Sequence, residues 1–215
     1  MNILHVACSP KGPAAESTKL SRRIVDLLLE IDPDAAIVER AIGEIPVPHV
    51  DANYAAAQHS PTAEVGSHGS IALSETLIRE LEAADAVVIG TPMHNLAVPS
   101  TLKAWIDHVV RAGRTFDMSP NGKAGTLKDR PVFVAVSSGG FFSGERARQP
   151  DYLTPYLRLV LATIGLKDVT FFSVEGTARD PASVAEAREA AELKARAFLA
   201  SFALTPARVF QRIDG

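Results

Sequence analysis

Five short apolar segments alternate with amphipathic segments along the chain, and this alternation restricts the fold more than any other sequence feature. The apolar segments are rich in Val, Ile and Phe and span residues 2–8, 36–41, 85–91, 131–137 and 169–174. Central segments of this kind are typical of strands buried on both faces of a parallel sheet. Because parallel neighbours need crossover connections, the pattern predicts an α/β fold with right-handed crossovers.

The segments between the strands carry apolar residues at helical spacing. Apolar stripes occur at Leu20, Ile24, Leu27, Leu28 and Ile31, at Leu73, Leu77, Ile78 and Leu81, and at Leu102, Ile106 and Val109. A fourth helix is predicted in "YLTPYLRLVLATIG" and a fifth in the Ala-, Glu- and Arg-rich residues 181–203. With helices on both faces, the five-stranded sheet is predicted to be doubly wound.

Two segments interrupt this alternation. Residues 43–69 contain Pro, Gly, His and Ser without a clear period, and they predict a long surface loop with room for a short helix. In residues 115–127, the central Pro-Asn-Gly predicts a hairpin that protrudes from the sheet. We find no repeat and no second domain, so residues 1–203 are predicted to be a single domain and residues 204–215 a C-terminal tail.

Charge and cysteine content argue against several classes of protein. With 22 Lys and Arg against 25 Asp and Glu, the surface field is weak, so neither nucleic acid nor an anionic membrane is indicated as a partner. The only cysteine, Cys8, cannot form an internal disulfide, and no Cys and His spacing is typical of a metal site. We find no signal-peptide pattern and no membrane-spanning run. These features predict a cytoplasmic protein that acts on a small molecule.

The loop after the first strand has the residue types of a phosphate site. It reads "SPKGPAAEST", and Ser17 is predicted to be the N-cap of the next helix. A phosphate there would meet free backbone N–H groups, the positive end of the helix dipole, and hydroxyls of Ser9, Ser17 and Thr18. Glu16 would repel it unless its side chain turns away. Neither a Walker loop nor a dinucleotide-binding glycine motif is present, and Ser17 acting only as a cap is the alternative.

Doubly wound sheets bind ligands beyond the carboxyl ends of their strands, near the point where strand order reverses. The segments expected there include "SPKGPAAESTKLS", "PMHNLAVPSTLKAWID" and "SSGG", and "RAGRTFDMSPNG" precedes the fourth strand. Together these motifs resemble the FMN-dependent NADH azoreductases, relatives of the NAD(P)H quinone reductases, over nearly the whole chain. The resemblance implies a flavodoxin-like fold with strand order 2-1-3-4-5. It also implies a homodimer with one FMN per subunit, close to the partner chain.

The same resemblance implies the residues that bind FMN. In the first loop they are Ser9, Ala15, Glu16 and Ser17; after the third strand they are Pro92, Met93, His94, Asn95 and Leu96; after the fourth strand they are Ser137, Ser138, Gly139 and Gly140. Ala15 stands where many members carry another serine. His94 and Leu96 depart from the usual Pro-Met-Tyr-Asn-Phe, which affects substrate stacking rather than flavin binding.

The chemistry of a flavin explains these residue types. The ring has apolar faces, which Met93 and Leu96 can contact, and donors and acceptors along one edge, which the Asn95 amide can match. Gly139 and Gly140 allow backbone N–H groups to approach where a side chain would clash. N–H groups aimed at the edge that becomes anionic on reduction would raise the flavin potential. Each residue alone has a structural interpretation, as core filler or as a turn residue, but their joint occurrence favours a flavin site.

The predicted function is two-electron, ping-pong reduction of quinones or azo compounds by NADH or NADPH. Because the flavin carries the reaction, no acid or base is required, although His94 is a candidate for positioning the acceptor or donating a proton to it. One alternative is a flavodoxin-type electron carrier without a small-molecule substrate, although such carriers tend to be strongly acidic. A second is a flavin-free structural or regulatory relative.

Expected roles can also be given for four other residues. His5, within a predicted buried strand, is expected to be a hydrogen-bonded core histidine. Cys8 is expected to be a small buried residue rather than a redox group. Arg114 and Arg146 are candidates for contacting the 2′-phosphate of NADPH, although exposed arginines are common.

Overall fold

The computed structural model describes residues 1–57 and 69–203. Its strands are β1 (Asn2–Ala7), β2 (Ala36–Arg40), β3 (Ala86–Pro92), β4 (Phe116–Ser119), β5 (Gly122–Gly125), β6 (Val132–Ser138) and β7 (Val169–Glu175). Its helices are α1 (Glu16–Ile31), α2 (Ala52–Ala57), α3 (Gly69–Ala83), α4 (Ser100–Val109), α5 (Thr154–Thr163) and α6 (Pro181–Ala203). The five apolar segments are confirmed as strands, with ends within one residue of those predicted.

The five apolar strands form one parallel sheet in the order β2-β1-β3-β6-β7. The order predicted from the resemblance, 2-1-3-4-5, differs from this one. Two strands, β4 and β5, lie between β3 and β6 in the chain and form a separate two-stranded sheet. The predicted numbering left these two strands out.

Alternate residues of the sheet strands face two separate cores. Leu4, Val87 and Ile89 point to the face covered by α3, α4 and α5, whereas Ile3 and Val88 point to the face covered by α1 and α6. This alternation follows from the period-two geometry of a strand, and burial on both faces explains why β3 and β6 are apolar throughout. The edge strand β2 is largely exposed.

The predicted hairpin is present and is anchored at its base. Strands β4 and β5 pair antiparallel, with Ser119 opposite Gly122. Near the base, Gly125 lies so close to the end of α5 that a Cβ would stand 2.1 Å from Gly165 N. At the other end, Met118 is 72% exposed. The hairpin is therefore fixed to the domain by its base and extends away from it, as the sequence predicts.

The predicted long loop contains a short helix in its first half. This helix, α2, is held against α4 by the buried Tyr54, whose hydroxyl donates to Asp107 O at 2.8 Å. Residues 58–68 of the loop and the predicted tail, residues 204–215, lie outside the described residues.

His5 is buried in β1 and both of its ring nitrogens have partners, as expected for a core histidine. Nδ1 lies 2.8 Å from Glu39 Oε2, and Nε2 lies 2.8 Å from Ser21 Oγ. The hydrogen bond with His5 is the largest influence on the Glu39 carboxyl and lowers its pKa. This network ties the edge strand β2 to α1 through β1.

In the described part of the chain we find neither a membrane-crossing helix nor a cluster suited to a metal ion. No helix there combines the length and the apolar character that a bilayer requires. No three His, Cys, Asp or Glu side chains there converge on a point that could hold a metal. Cys8 is fully buried, and burial raises the pKa of its thiol, which is consistent with a small core residue.

Candidate functional site

The carboxyl ends of β1, β3 and β6 lie side by side in the sheet. Just beyond β1, Cys8 N donates to Gly90 O at 2.8 Å, and just beyond β3, Met93 N donates to Ser137 O at 2.7 Å. The loops that follow these three strands therefore begin next to one another. This is the edge at which doubly wound sheets bind ligands, and it brings together the three predicted groups of site residues.

The first loop leads into α1 through a single 3₁₀ turn, and the helix starts two residues earlier than predicted. Ala15 is the N-cap, with no side-chain cap, and Ser17 lies inside the first turn. The prediction that Ser17 caps the helix was therefore wrong. Local sequence favours serine as a cap, but the 3₁₀ turn places Ala15 in the extended conformation before the helix.

Because Ser17 is not the cap, its hydroxyl makes no capping hydrogen bond. The side chains of Ser17 and Thr18 are buried, and neither hydroxyl has a hydrogen-bond partner among the described residues. The first backbone donor of α1 with a carbonyl partner is Lys19 N, which donates to Ala15 O at 3.0 Å. Within the described residues, the N–H groups of Glu16, Ser17 and Thr18 have no carbonyl partner, as expected at a helix N-terminus. Buried polar groups rarely lack partners, so a ligand is indicated here.

The second loop makes a tight, strained turn directly after β3. His94 and Ala97 exchange two backbone hydrogen bonds, each 3.0 Å long, and the residues between them, Asn95 and Leu96, have φ angles of 48° and 71°. A non-glycine residue at positive φ costs free energy, and an asparagine tolerates it better than a leucine. Both exposed side chains, His94 and Asn95, project from this turn. Strain of this kind is concentrated at functional sites.

The third loop, which follows β6, is shaped by the side chain of Gln149, a residue that the sequence did not point to. A Cβ on Gly140 would stand 2.4 Å from Gln149 Oε1, so a larger residue there would require the Gln149 side chain to move. The same amide places Nε2 3.1 Å from Ser138 Oγ and 3.2 Å from Met93 Sδ. Gly139, in contrast, has room within the chain for a Cβ, whose nearest neighbour would be 3.7 Å away.

Met93, which is predicted to contact the flavin ring, is largely buried. Its side chain is 8% exposed and belongs to the core cluster shared with α4 and α5. Only a small part of its side chain is therefore open to a flavin ring. The partly exposed Leu96 is in a better position for such a contact. Met93 contributes its backbone, which joins the second and third loops.

Comparison with known proteins identifies the family. A family model described as a flavodoxin-like fold matches residues 1–199. The chain is 49% identical to FMN-dependent NADH:quinone oxidoreductase 4 of Pseudomonas fluorescens, over 81% of this chain and 84% of that protein. It is 46% identical to FMN-dependent NADH:quinone oxidoreductase 5 of Burkholderia lata, over 85% of this chain and 89% of that protein.

The chain belongs to the flavodoxin-like family. A solved structure of an FMN-dependent NADH-azoreductase from Bacillus anthracis, in complex with FMN, shares its fold with a TM-score of 0.76. That match has 23% sequence identity and covers 92% of this chain and 98% of the other. The family resemblance inferred from the sequence motifs is thus confirmed.

The start of α1 in this flavodoxin-like chain fits the phosphate of a mononucleotide such as FMN. The first turn of α1 carries free N–H groups, the positive end of the helix dipole and two unpartnered hydroxyls, and each of these favours an anion with several acceptor oxygens. Ser9 also lies in this loop, where its hydroxyl accepts a hydrogen bond from Lys11 N at 3.2 Å. Ala15 supplies no hydroxyl to this loop.

Glu16 is the least expected residue at an anion site, because its carboxylate carries a negative charge. Two cationic side chains offset this charge. Lys19 Nζ lies 2.7 Å from Oε1, and Arg188 of α6 donates to Oε2 at 2.8 Å. Burial alone would raise the pKa of Glu16, but the bonds from Lys19 and Arg188 outweigh burial and lower the pKa. The side chain is therefore turned toward these cations. The carboxylate of Glu44 also lies beside Gly12, so negative charge near this loop is not limited to Glu16.

The two arginines considered for NADPH recognition have different surroundings. Arg114 binds Glu75 and Glu82, and hydrogen bonds with these carboxylates raise its pKa. It is thus already engaged within the protein. Arg146 stacks over the Phe141 ring at 4.5 Å and lines a cleft of about 480 Å³ between the third loop and α6. This cleft does not include the start of α1 or the strained turn.

Several residues that shape the site had little or no sequence signal. Gln149, Glu175 and Arg188 act on it through contacts with residues 56, 33 and 172 positions away in the chain. Gly43 is a fourth case, because it packs directly on the backbone of the first loop. A glycine just after an edge strand is a weak signal, and only the three-dimensional contact distinguishes it from an ordinary turn.

Proposed function

We propose that this protein is an FMN-dependent NADH:quinone oxidoreductase that also accepts azo compounds. The observation that carries the proposal is the pair of buried, unpartnered hydroxyls of Ser17 and Thr18 beside free N–H groups, at the edge where three loops converge. The names of relatives up to 49% identical support the same activity. The chemistry that bound FMN would supply is two-electron hydride transfer from NADH to the acceptor.

The residues of the chain would bind and orient the cofactor. The start of α1 would hold the phosphate, and the amide of Asn95 would face the polar edge of the ring. The N–H groups of the third loop would add donors along this edge, which stabilise the negative charge that reduction places there. Leu96 would exclude water from one side of the ring. Orientation and exclusion of water are sufficient contributions from the protein, so His94 has no required proton-transfer role.

The proposal also covers the oligomeric state of the protein and its cellular compartment. The protein acts as a homodimer. The hairpin and the loop containing α2 form the sides of the proposed FMN cleft. The exposed Met118 near the hairpin tip is a candidate for contact with the partner chain. Residues 1–203 form a single domain, and the free buried thiol of Cys8 is consistent with the cytoplasm.

One experiment separates this function from a flavodoxin-type carrier. The purified protein is loaded with FMN and reduced anaerobically with NADH, and a quinone or an azo dye is then added. We expect NADH to bleach the flavin absorbance rapidly and the acceptor to restore it, with parallel initial-rate lines that indicate a ping-pong mechanism. A flavin that NADH does not reduce would indicate a carrier, and a protein that takes up no FMN would indicate a flavin-free relative.

Replacing Glu16 by glutamine is expected to tighten FMN binding about two- to fivefold. The change removes a negative charge near the phosphate, and Coulomb energies of about 1 kcal/mol or less are expected between partly solvated charges. The measurement is the dissociation constant from quenching of FMN fluorescence at two salt concentrations. Glu30→Gln is the matched control, because Glu30 lies on the same helix at the opposite end and, like Glu16, is bound by two cationic side chains, in this case Arg23 and Arg196. Equal effects of the two variants would contradict a local role for Glu16.

Replacing Asn95 is expected to weaken FMN binding about three- to tenfold, the cost of one or two hydrogen bonds. Asn95→Ala removes the amide but places alanine at a φ of 48°, whereas Asn95→Gly removes the amide without this strain. Both variants should lose affinity if the amide binds the ring edge. An effect of the alanine variant alone would assign Asn95 a purely conformational role. Asn2→Ala, at the opposite edge of the sheet, is the control.

A further inference from the structure

The carboxylate of Glu175 is bound to the loop that follows β6. Glu175 is the last residue of β7 and pairs with Ser138, the last residue of β6. Its Oε2 accepts hydrogen bonds from Phe142 N at 2.7 Å and from Ser143 N at 3.1 Å. Its Oε1 accepts bonds from the hydroxyls of Ser143 and Ser173. Four donors thus converge on one side chain, and two of them are backbone groups of the third loop.

The chain that follows Glu175 holds the preceding part of the same loop. Thr177 N donates to Ser138 O at 2.9 Å, Ala178 N donates to Gly139 O at 3.4 Å, and Gly176 N donates to Gly140 O at 3.3 Å. A Cβ on Gly176 would stand 2.7 Å from the Phe141 ring, so the two segments are in close contact.

These bonds determine where the remaining donors of the loop point. In a trans peptide, the N–H lies opposite the C=O of the preceding residue. With the carbonyls of residues 138, 139 and 140 turned toward residues 176–178, the N–H groups of Gly139, Gly140 and Phe141 point away from that segment. Within residues 1–57 and 69–203, none of these three N–H groups has a hydrogen-bond partner. They form a row of free donors next to the second loop.

We propose that Glu175 is a positioning residue that holds the third loop so that the N–H groups of Gly139, Gly140 and Phe141 face the flavin edge. The inference rests on the proposed function, because the contacts of Glu175 lie within the protein and can affect FMN only if FMN binds at this site. The carboxylate fixes the C-terminal end of the row, at Phe142 and Ser143, while residues 176–178 fix its carbonyl side. Loss of Glu175 releases one end of the row and misaligns its donors.

A purely structural role is the competing explanation, and the same two strands provide a control for it. At their opposite ends, Asp129 Oδ1 accepts hydrogen bonds from Lys167 N at 2.8 Å and from Asp168 N at 3.2 Å. Asp129 thus ties the amino ends of β6 and β7 as Glu175 ties their carboxyl ends. Asp129→Ala removes an equivalent restraint far from the proposed flavin site.

The test compares Glu175→Ala, Glu175→Gln and Asp129→Ala in the full-length protein. We expect Glu175→Ala to weaken FMN binding about tenfold, with a further tenfold loss for reduced FMN relative to oxidised FMN. That ratio corresponds to a midpoint potential about 30 mV more negative for a two-electron couple. Glu175→Gln should stay within about threefold of wild type, because its amide oxygen can accept the two backbone bonds. Asp129→Ala should lower thermal stability without changing the potential.

Three results would overturn the inference. The first is a Glu175→Ala variant with unchanged midpoint potential and unchanged FMN affinity. The second is an equal shift in potential in Glu175→Ala and Asp129→Ala. The third is a Glu175→Gln variant as impaired as Glu175→Ala, which would assign the effect to the charge of the carboxylate. If wild-type protein binds no FMN, the proposed function fails and not this assignment alone.

Amide hydrogen exchange of the wild-type protein provides a test that needs no variant. Without FMN, the N–H groups of Phe142 and Ser143 should exchange slowly, and those of Gly139, Gly140 and Phe141 should exchange quickly. FMN should slow the second group. Slow exchange of all five without FMN, or no change when it binds, would also contradict the proposal.

Discussion

Gly43→Ala is expected to lower FMN affinity by about a hundredfold or more. A Cβ at this position would stand 2.1 Å from Ser9 O and 2.3 Å from Ser9 C, both backbone atoms of the first loop. Backbone cannot rotate away as a flexible side chain can, so the loop must shift by more than an ångström. That shift moves Ser9 and the start of α1, where the phosphate is expected to bind, and overpacking of this kind typically costs about 1–3 kcal/mol or more.

The measurement for Gly43→Ala is FMN titration by fluorescence quenching, together with a thermal unfolding curve of the protein without FMN. Gly113→Ala is the control, because Gly113 has a φ of 71° but nothing within 4 Å of a new Cβ. The control should lose some stability through backbone strain and keep its affinity. Wild-type affinity in Gly43→Ala would show that the first loop does not bind the phosphate in this conformation.

Glu75→Gln is expected to reduce the free energy of unfolding at pH 7 by about 3 kcal/mol. Glu75 Oε2 accepts a hydrogen bond from Arg111 at 2.6 Å, and Arg114 donates to both of its oxygens. The Arg111 side chain is only 7% exposed. Removal of the carboxylate charge leaves a buried guanidinium without its counter-ion, and breaking a buried pair in this way typically costs about 3–5 kcal/mol.

The same ion pairs predict how stability depends on pH. The hydrogen bond from Arg114, reinforced by Arg111 against the opposing effect of burial, lowers the pKa of Glu75 from 4.5 to about 2. Because the folded protein holds this carboxylate ionised, its contribution is complete above pH 4.5 and is lost as the pH falls toward 2. A pKa difference of this size between the folded and unfolded states corresponds to about 3 kcal/mol of folding free energy.

Urea unfolding of wild type and Glu75→Gln at pH 7, 4 and 3 measures both effects. The stability difference between the two proteins should shrink as the pH falls, because the wild type loses the contribution that the variant already lacks. Glu30→Gln, which removes an exposed partner of Arg196, should change stability little at any of these pH values. A difference between wild type and Glu75→Gln that does not depend on pH would contradict the assigned pKa.

Sequence periodicity predicted the fold well because its signals are local. The apolar runs that became β3 and β6 are buried on both faces, and a strand buried in this way needs little information from elsewhere in the chain. The Pro-Asn-Gly turn predicted the hairpin for the same reason. The strand order was numbered incorrectly because the hairpin strands form a sheet of their own.

The site was less predictable because its details depend on distant residues. Ser17 was expected to be a helix cap, but the preceding 3₁₀ turn gives that position to Ala15. Met93 is predicted to touch the flavin, and the local motif did not indicate that most of its side chain would be buried in the core. The contacts of Gln149 and Glu175 with the third loop join parts of the chain far apart in sequence, and no motif marks them.

A crystal structure of the protein grown with FMN tests the central claim most directly. We expect the phosphate to lie about 3 Å from Ser17 Oγ and from the first N–H groups of α1. The polar edge of the ring should face the Asn95 amide and the N–H groups of Gly139 and Gly140. FMN bound elsewhere, or crystals without FMN combined with no heat on calorimetric titration, would contradict the account.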